Sequence, residues 1–172
     1  MNRPTVVYLG GKQAGCVGLL SLYAANCKIA SVVAYDELVH QLARTLHLVT
    51  FSSIKETGFQ QTLSSSDLLV SVHGREIIPK SMLELLPLGG INVHPCLYQY
   101  KGANPVQRLL DDGNTRASVG VHRMTEAVDE GEVLVEEFVE VSTQKSIVEI
   151  YNELYPYYAL ALLKALKKIM HA

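Results

Sequence analysis

In the first part of the chain, short unbroken apolar runs alternate with stretches where apolar residues recur every third or fourth position. The runs are Thr5 to Gly10, Ile29 to Ala34, Leu48 to Phe51 and Leu68 to Val72. Each has the length and composition of a strand buried on both faces. Between them, Gly15 to Ala25, Glu37 to Leu46 and Ser53 to Leu63 show helical spacing, with Asp36 placed to cap the second. Ser64-Ser65-Ser66-Asp67 breaks the third helix, and Ile78 to Leu86, led by Pro79, reads as a short fourth one. This alternation predicts an α/β, Rossmann-like fold: a mostly parallel twisted sheet with helices on both faces.

The second part continues the pattern. Ile91 to His94 reads as a short strand, entered from Gly89-Gly90 and stopped by Pro95. Asn104 to Leu110 is predicted as a helix with Asn104 as its cap and Pro105 in first position, ended by Asp111-Asp112-Gly113-Asn114. Ala117 to Met124 and Glu132 to Val141 alternate as strands. Ser146 to Met170 closes the chain as a long apolar helix that Pro156 is expected to kink. The tyrosines around that proline (Tyr151, Tyr155, Tyr157 and Tyr158) are expected against the sheet or against a second subunit of a homodimer. No repeat or linker divides the sequence, so residues 1–172 are read as a single domain.

Charge narrows the partners. With 15 Lys and Arg against 17 Asp and Glu, the net charge is −2. Such a balance argues against gripping nucleic acid by phosphate neutralisation, while a small anionic substrate needs only a few local donors. No apolar run approaches the roughly 20 residues that span a bilayer. The opening Met1-Asn2-Arg3-Pro4 lacks the pattern of a secretion signal. Cys16, Cys27 and Cys96 have neither metal-ligand nor redox spacing, which points to a reducing cytoplasm. His40, His47, His73 and His171 also lack ligand spacing, so no metal site is expected.

The candidate chemistry starts at Ile91 to His94. Alternation along a strand puts Asn92 and His94 on one side, roughly 7 Å apart at Cα, at the carboxyl end where open α/β sheets place ligands. In the loop Met124 to Glu132, Asp129 is the acid expected to point inward, because Val128 precedes it and Gly131 lets the backbone turn close by. A carboxylate beside an imidazole favours the imidazolium. An amide donor, a cationic histidine and an orienting aspartate suit a carbonyl becoming a tetrahedral oxyanion. Cys96 reads as a small buried residue and His122 as a core or supporting histidine. No Ser or Cys with an adjacent base is evident, which favours direct attack by a substrate amine.

The motifs Ile91-Asn92-Val93-His94-Pro95, Tyr100-Lys101-Gly102-Ala103-Asn104-Pro105, His122-Arg123-Met124 and Val128-Asp129-Glu130-Gly131 occur in this order. Together they resemble the signature of the folate-dependent formyltransferase family, most sharply from Leu68 to Leu134. The resemblance implies an enzyme that moves a formyl group from 10-formyltetrahydrofolate to a primary amine of a small molecule. It implies that Asn92 holds the formyl oxygen, that His94 stabilises the intermediate and protonates the leaving nitrogen, and that Asp129 keeps His94 protonated. It further implies that the backbone of Arg75, Glu76, Ile77 and Ile78 bonds the pterin. Thr125, Glu126, Ala127 and Val128 would close over its other edge. Arg75 and Glu76 also read as a solvated surface pair.

The pattern departs from that family in places. After His94 the chain reads Pro95-Cys96-Leu97-Tyr98-Gln99-Tyr100, one residue shorter and without a second proline, so the loop over the formyl group is expected to differ. The segment Tyr35 to His40 is also short for the family. Gly10 to Gly15 lacks the Ser-Asn of the glycinamide ribonucleotide enzymes, and residues 1–172 include no basic tRNA-gripping domain, so both of those acceptors are expected to be disfavoured. Gly15-Cys16-Val17-Gly18 is closer to the sugar enzymes, which points to a nucleotide-linked amino sugar as acceptor. Lys101 is placed either to meet an acceptor phosphate or to be solvated. Two other functions stay open: hydrolysis of 10-formyltetrahydrofolate, and a non-catalytic folate- or nucleotide-binding module.

Overall fold

A computed structural model describes residues 3–171. Seven strands form one sheet in the order β3-β2-β1-β4-β5-β6-β7. They are β1 (Thr5–Gly10), β2 (Lys28–Ala34), β3 (Thr50–Phe51), β4 (Leu68–Val72), β5 (Gly90–Pro95), β6 (Arg116–Arg123) and β7 (Val133–Glu140). Strands β1 to β5 pair in parallel, while β6 and β7 add antiparallel. The parallel strands are largely apolar because both faces are covered. Val6 and Tyr8 enter one core, with Leu68 and Val70; Val7, Leu9 and Leu69 enter the other.

The helices are α1 (Lys12–Ala24), α2 (Glu37–Thr45), α3 (Phe59–Ser64), α4 (Lys80–Leu83), α5 (Pro105–Asp111) and α6 (Ile147–Met170). The first core is roofed by α1, α2 and α6, through residues such as Leu19, Ala43 and Leu162; α3 and α4 cover the second through Phe59, Leu63 and Leu83. Asp36 caps α2 by accepting from the Val39 N–H at 3.1 Å. Ser146 and Glu149 form a reciprocal capping box at the start of α6, which continues through Pro156 as one helix.

Three elements depart from the sequence expectation. The third helix begins only at Phe59, after Gly58 in a left-handed conformation (φ 92°). Ahead of it, Ser53 gives its hydroxyl to Glu76 and Ser52 gives both N–H and hydroxyl to Glu56, bonds that compete with helix. The fourth helix is a single turn. Asn104 does precede Pro105 at the head of α5, but in a left-handed conformation and without a side-chain cap bond.

Between α1 and β1 the fit is close. Tyr8, fully buried, donates its hydroxyl to the Gly15 carbonyl at 2.6 Å. Gly18 lies on the same helical face, and a Cβ there would sit 2.5 Å from the Tyr8 hydroxyl oxygen and 2.8 Å from Val72 Cγ2. The Gly-Cys-Val-Gly stretch therefore serves helix–sheet packing. Gly18→Val is expected to destabilise the fold by about 1–3 kcal/mol through overpacking. Thermal unfolding checks this: the midpoint should fall by several degrees, and an unchanged midpoint would show that α1 does not press on Tyr8.

Candidate active site

The strand order reverses beside β1, and the carboxyl ends of β1, β4 and β5 open there on a cavity of about 590 Å³. A crevice at such a switch point is the usual ligand site of an open α/β sheet. β5 brings Asn92 and His94 to its wall, and β6 brings His122, which pairs across the sheet with Asn92 and so faces the same way. Asp129 arrives on the β6–β7 connection in a left-handed conformation (φ 55°). Gly131 makes that connection fit, because a Cβ would collide with the Arg123 carbonyl.

Asp129 is 7% exposed and stands between two histidines. Its Oδ2 is 3.1 Å from His94 Nε2, and its Oδ1 is 3.2 Å from His122 Nε2. The Gly102 N–H donates to Oδ2 at 2.8 Å. Burial alone would raise its pKa, but the bonds to His122, His94 and Gly102 and the His94 charge hold the carboxyl well below its usual range.

Around His94 there are only acceptors. Nδ1 faces the Pro95 carbonyl at 2.8 Å, and Nε2 faces the Gly102 carbonyl at 3.0 Å as well as Asp129. A ring nitrogen must carry hydrogen to meet an acceptor, so both do, and His94 is an imidazolium. Burial opposes that charge; the Asp129 carboxylate and the two carbonyls outweigh it and raise the pKa above its ordinary value. His122 sets Nδ1 2.8 Å from the Arg123 carbonyl and turns Nε2 toward the Asp129 carboxylate, with the Asn92 amide nitrogen 3.3 Å from Nε2. The amide, imidazolium and carboxylate thus converge at one carboxyl edge, with His122 tying the first to the third.

The remaining residues singled out from sequence also border the cavity. Arg75 and Ile77 are exposed, Ile78 is buried in the second core, and Thr125, Glu126, Ala127 and Val128 form an exposed edge opposite. Among the described residues, the backbone groups of Arg75 to Ile78 make no hydrogen bond to another backbone group. The reading of Glu76 as a solvated surface group is corrected. Its carboxylate accepts from the Tyr35 hydroxyl at 2.9 Å, the Ser53 hydroxyl at 2.6 Å and the Ile54 N–H at 3.0 Å, which outweigh partial burial and lower its pKa.

Lys101 pairs with Glu130 at 2.8 Å on the surface. Cys96 is fully buried and its thiol is pushed up to about 11 by burial, so it is no nucleophile. In the shortened loop, Leu97 is buried against Gly120, and the Tyr98 N–H bonds Glu136 at 3.1 Å. His122 is buried beside Asp129, in keeping with the reading of it as a core or supporting histidine, whereas Lys12, His73 and Tyr151, which also line the cavity, were not read as site residues. Pairing of β5 with β6 was the signal for His122; the others depend on long-range packing. Among the described residues no three His, Cys, Asp or Glu side chains form a metal-holding group, and no helix is long and apolar enough to cross a membrane.

Comparison with known proteins agrees with this architecture. The chain is 29% identical to methionyl-tRNA formyltransferase of Synechococcus sp. (strain CC9902), over 97% of this chain and 55% of that protein. It is 35% identical to methionyl-tRNA formyltransferase of Syntrophus aciditrophicus (strain SB), over 66% of this chain and 38% of that one. The chain thus spans about half the length of these relatives or less. Glycinamide ribonucleotide transformylase 1 of Symbiobacterium toebii shares the fold, with a TM-score of 0.80 at 18% identity over 95% of this chain and 86% of that one. A formyltetrahydrofolate deformylase of Pseudomonas syringae pv. tomato does so at 0.78 and 18%, over 96% and 60%. The family model described as formyl transferase matches residues 22–166, and the chain belongs to that family.

Proposed function

We infer that the chain transfers a formyl group from 10-formyltetrahydrofolate to a primary amine of a small molecule. The observation that carries this reading is the Asp129 carboxylate bridging His94 and His122, with His94 held as an imidazolium beside the Asn92 amide. The cavity is of a size that encloses much of a small molecule. The backbone of Arg75 to Ile78, free of backbone–backbone bonds among the described residues, offers donors and acceptors to a pterin edge, and Thr125 to Val128 would border its other side.

In this mechanism the donor supplies an activated formyl carbon, and the acceptor amine attacks it as the free base. Asn92 donates an N–H to the formyl oxygen as negative charge builds, and the His94 charge stabilises the same oxyanion. Asp129 keeps the proton on His94 Nε2 until the folate nitrogen needs it. His94 gives its Nε2 proton to the folate nitrogen as the carbon–nitrogen bond to folate breaks, the proton lost by the amine passes to the vacated His94 nitrogen beside Asp129, and a formamide and tetrahydrofolate leave. A nucleotide-linked amino sugar is the narrower form of the acceptor reading. Water is the rival acceptor, and tetrahydrofolate formed at full rate without any amine would establish it.

Absorbance-monitored tetrahydrofolate formation against amino sugars, nucleotides and amino acids tests the reading, and no amine-dependent product would overturn it. His94→Ala is expected to lower turnover roughly 10²–10⁴-fold with the fold intact by circular dichroism. Asn92→Ala should cost about 10²–10³-fold. The charge on His94 also has a pH signature. Because its pKa lies above the ordinary 6.5, the proton is lost only as pH rises through the raised value. Ring-proton NMR titration should place His94 above 6.5 in the wild type and lower in Asp129→Asn. Equal values in the two proteins would show that Asp129 does not hold the proton.

A further inference from the structure

His73 follows β4 in a left-handed conformation (φ 54°), as do Lys12, Asn104 and Asp129, the other non-glycine residues of positive φ on the cavity wall. Conformations of this kind persist only where the surroundings fix them, and they gather at functional sites. The surroundings of His73 are aromatic. Its ring packs edge-on to Tyr151 and Tyr158 of α6, centroids 5.6 Å apart in each case, and its Nε2 lies 2.6 Å from the Tyr158 hydroxyl.

That bond sets the tautomer. Tyr158 is 1% exposed, and among the described residues His73 is the hydroxyl's single hydrogen-bond partner. A buried hydroxyl has one proton to place, so it donates to Nε2. Burial, helped by the positive charges of Lys12 and His94, lowers the His73 pKa to about 4, so the imidazole is neutral. A neutral ring that accepts at Nε2 carries its hydrogen on Nδ1. Among the described residues no buried side-chain nitrogen lacks a partner, and the His73 Nδ1 has none, so it is not buried; because His73 lines the cavity, Nδ1–H opens onto it. Lys12 lines the same wall. Its backbone N–H is taken by Asp36, while its ammonium makes no ion pair among the described residues.

We propose that His73 is a specificity-determining residue for the acceptor: its Nδ1–H, fixed by Tyr158 and backed by the Lys12 ammonium, takes an anionic oxygen of the amine substrate. Tyr158 is then a positioning residue that acts through His73. The anionic oxygen belongs to a phosphate ester or a carboxylate carried by the same molecule as the amine. This deepens, and rests on, the formyl-transfer reading above.

Nitrogen–proton correlation spectra of the imidazoles test the first half without any turnover. His73 should show its hydrogen on Nδ1 in the wild type and a tautomer mixture in Tyr158→Phe. Inorganic phosphate should shift the His73 ring signals, with affinity about tenfold weaker in Tyr158→Phe and in Lys12→Gln, as expected for loss of a charge-assisted bond. Kinetics test the second half with an amino sugar, its phosphate ester and its carboxylate analogue. The preferred charged amine should have a KM about tenfold below that of the neutral one, and Tyr158→Phe should raise that KM with kcat held. Whichever charged amine shows the lower KM identifies the anion. A hydrogen on Nε2, no response to phosphate, or equal KM for charged and neutral amines would overturn the proposal. Absence of formyl transfer to any amine would instead sink the transfer reading, and the spectra and the phosphate titration would still decide the role of His73.

Discussion

One buried carboxylate organises the cavity. Asp129 meets two imidazoles and a backbone N–H, and each of these belongs to a different segment: His94 to β5, His122 to β6, Gly102 to the turn before α5. Removing a charge from water is costly unless it is paired and hydrogen-bonded, so this aspartate holds its neighbours in place as much as they hold it. The imidazolium follows from the same arrangement, since every group that faces His94 is an acceptor.

The scaffold makes that meeting possible by geometry. Parallel strands bury both faces and leave their carboxyl ends as the exposed polar edge, and the antiparallel β6 folds back to set His122 opposite Asn92. Because β6 runs antiparallel, the β6–β7 connection leaves beside Gly90 and Ile91 and reaches back along β5 to carry Asp129 to His94. A glycine at 131 then lets that connection press against the Arg123 carbonyl, where any side chain would push Asp129 outward.

How far the sequence could be read follows from range. Strand runs and the faces of Asn92 and His94 were legible because period-2 alternation is local, and Asp129 because a following glycine marks a tight backbone approach. The third helix was overextended since the competing bonds of Ser52 and Ser53 depend on Glu56 and Glu76, the latter far along the chain. His122 was legible as a core or supporting histidine, but its place across from Asn92 comes only from the register of β5 against β6. His73 and Tyr158 are 85 residues apart, and no local pattern couples a histidine after one strand to a tyrosine on the last helix.

Glu76 carries a wider consequence. It fastens the Arg75–Ile78 segment to Tyr35 after β2 and to Ser53 and Ile54 after β3, a strand of only two residues at the sheet margin. Short marginal strands are the first to fray. Breathing at that rim would slacken the segment without touching Asn92, His94 or Asp129, so heat or sequence drift at the periphery would loosen the hold on a bound ligand before it blunted the chemistry.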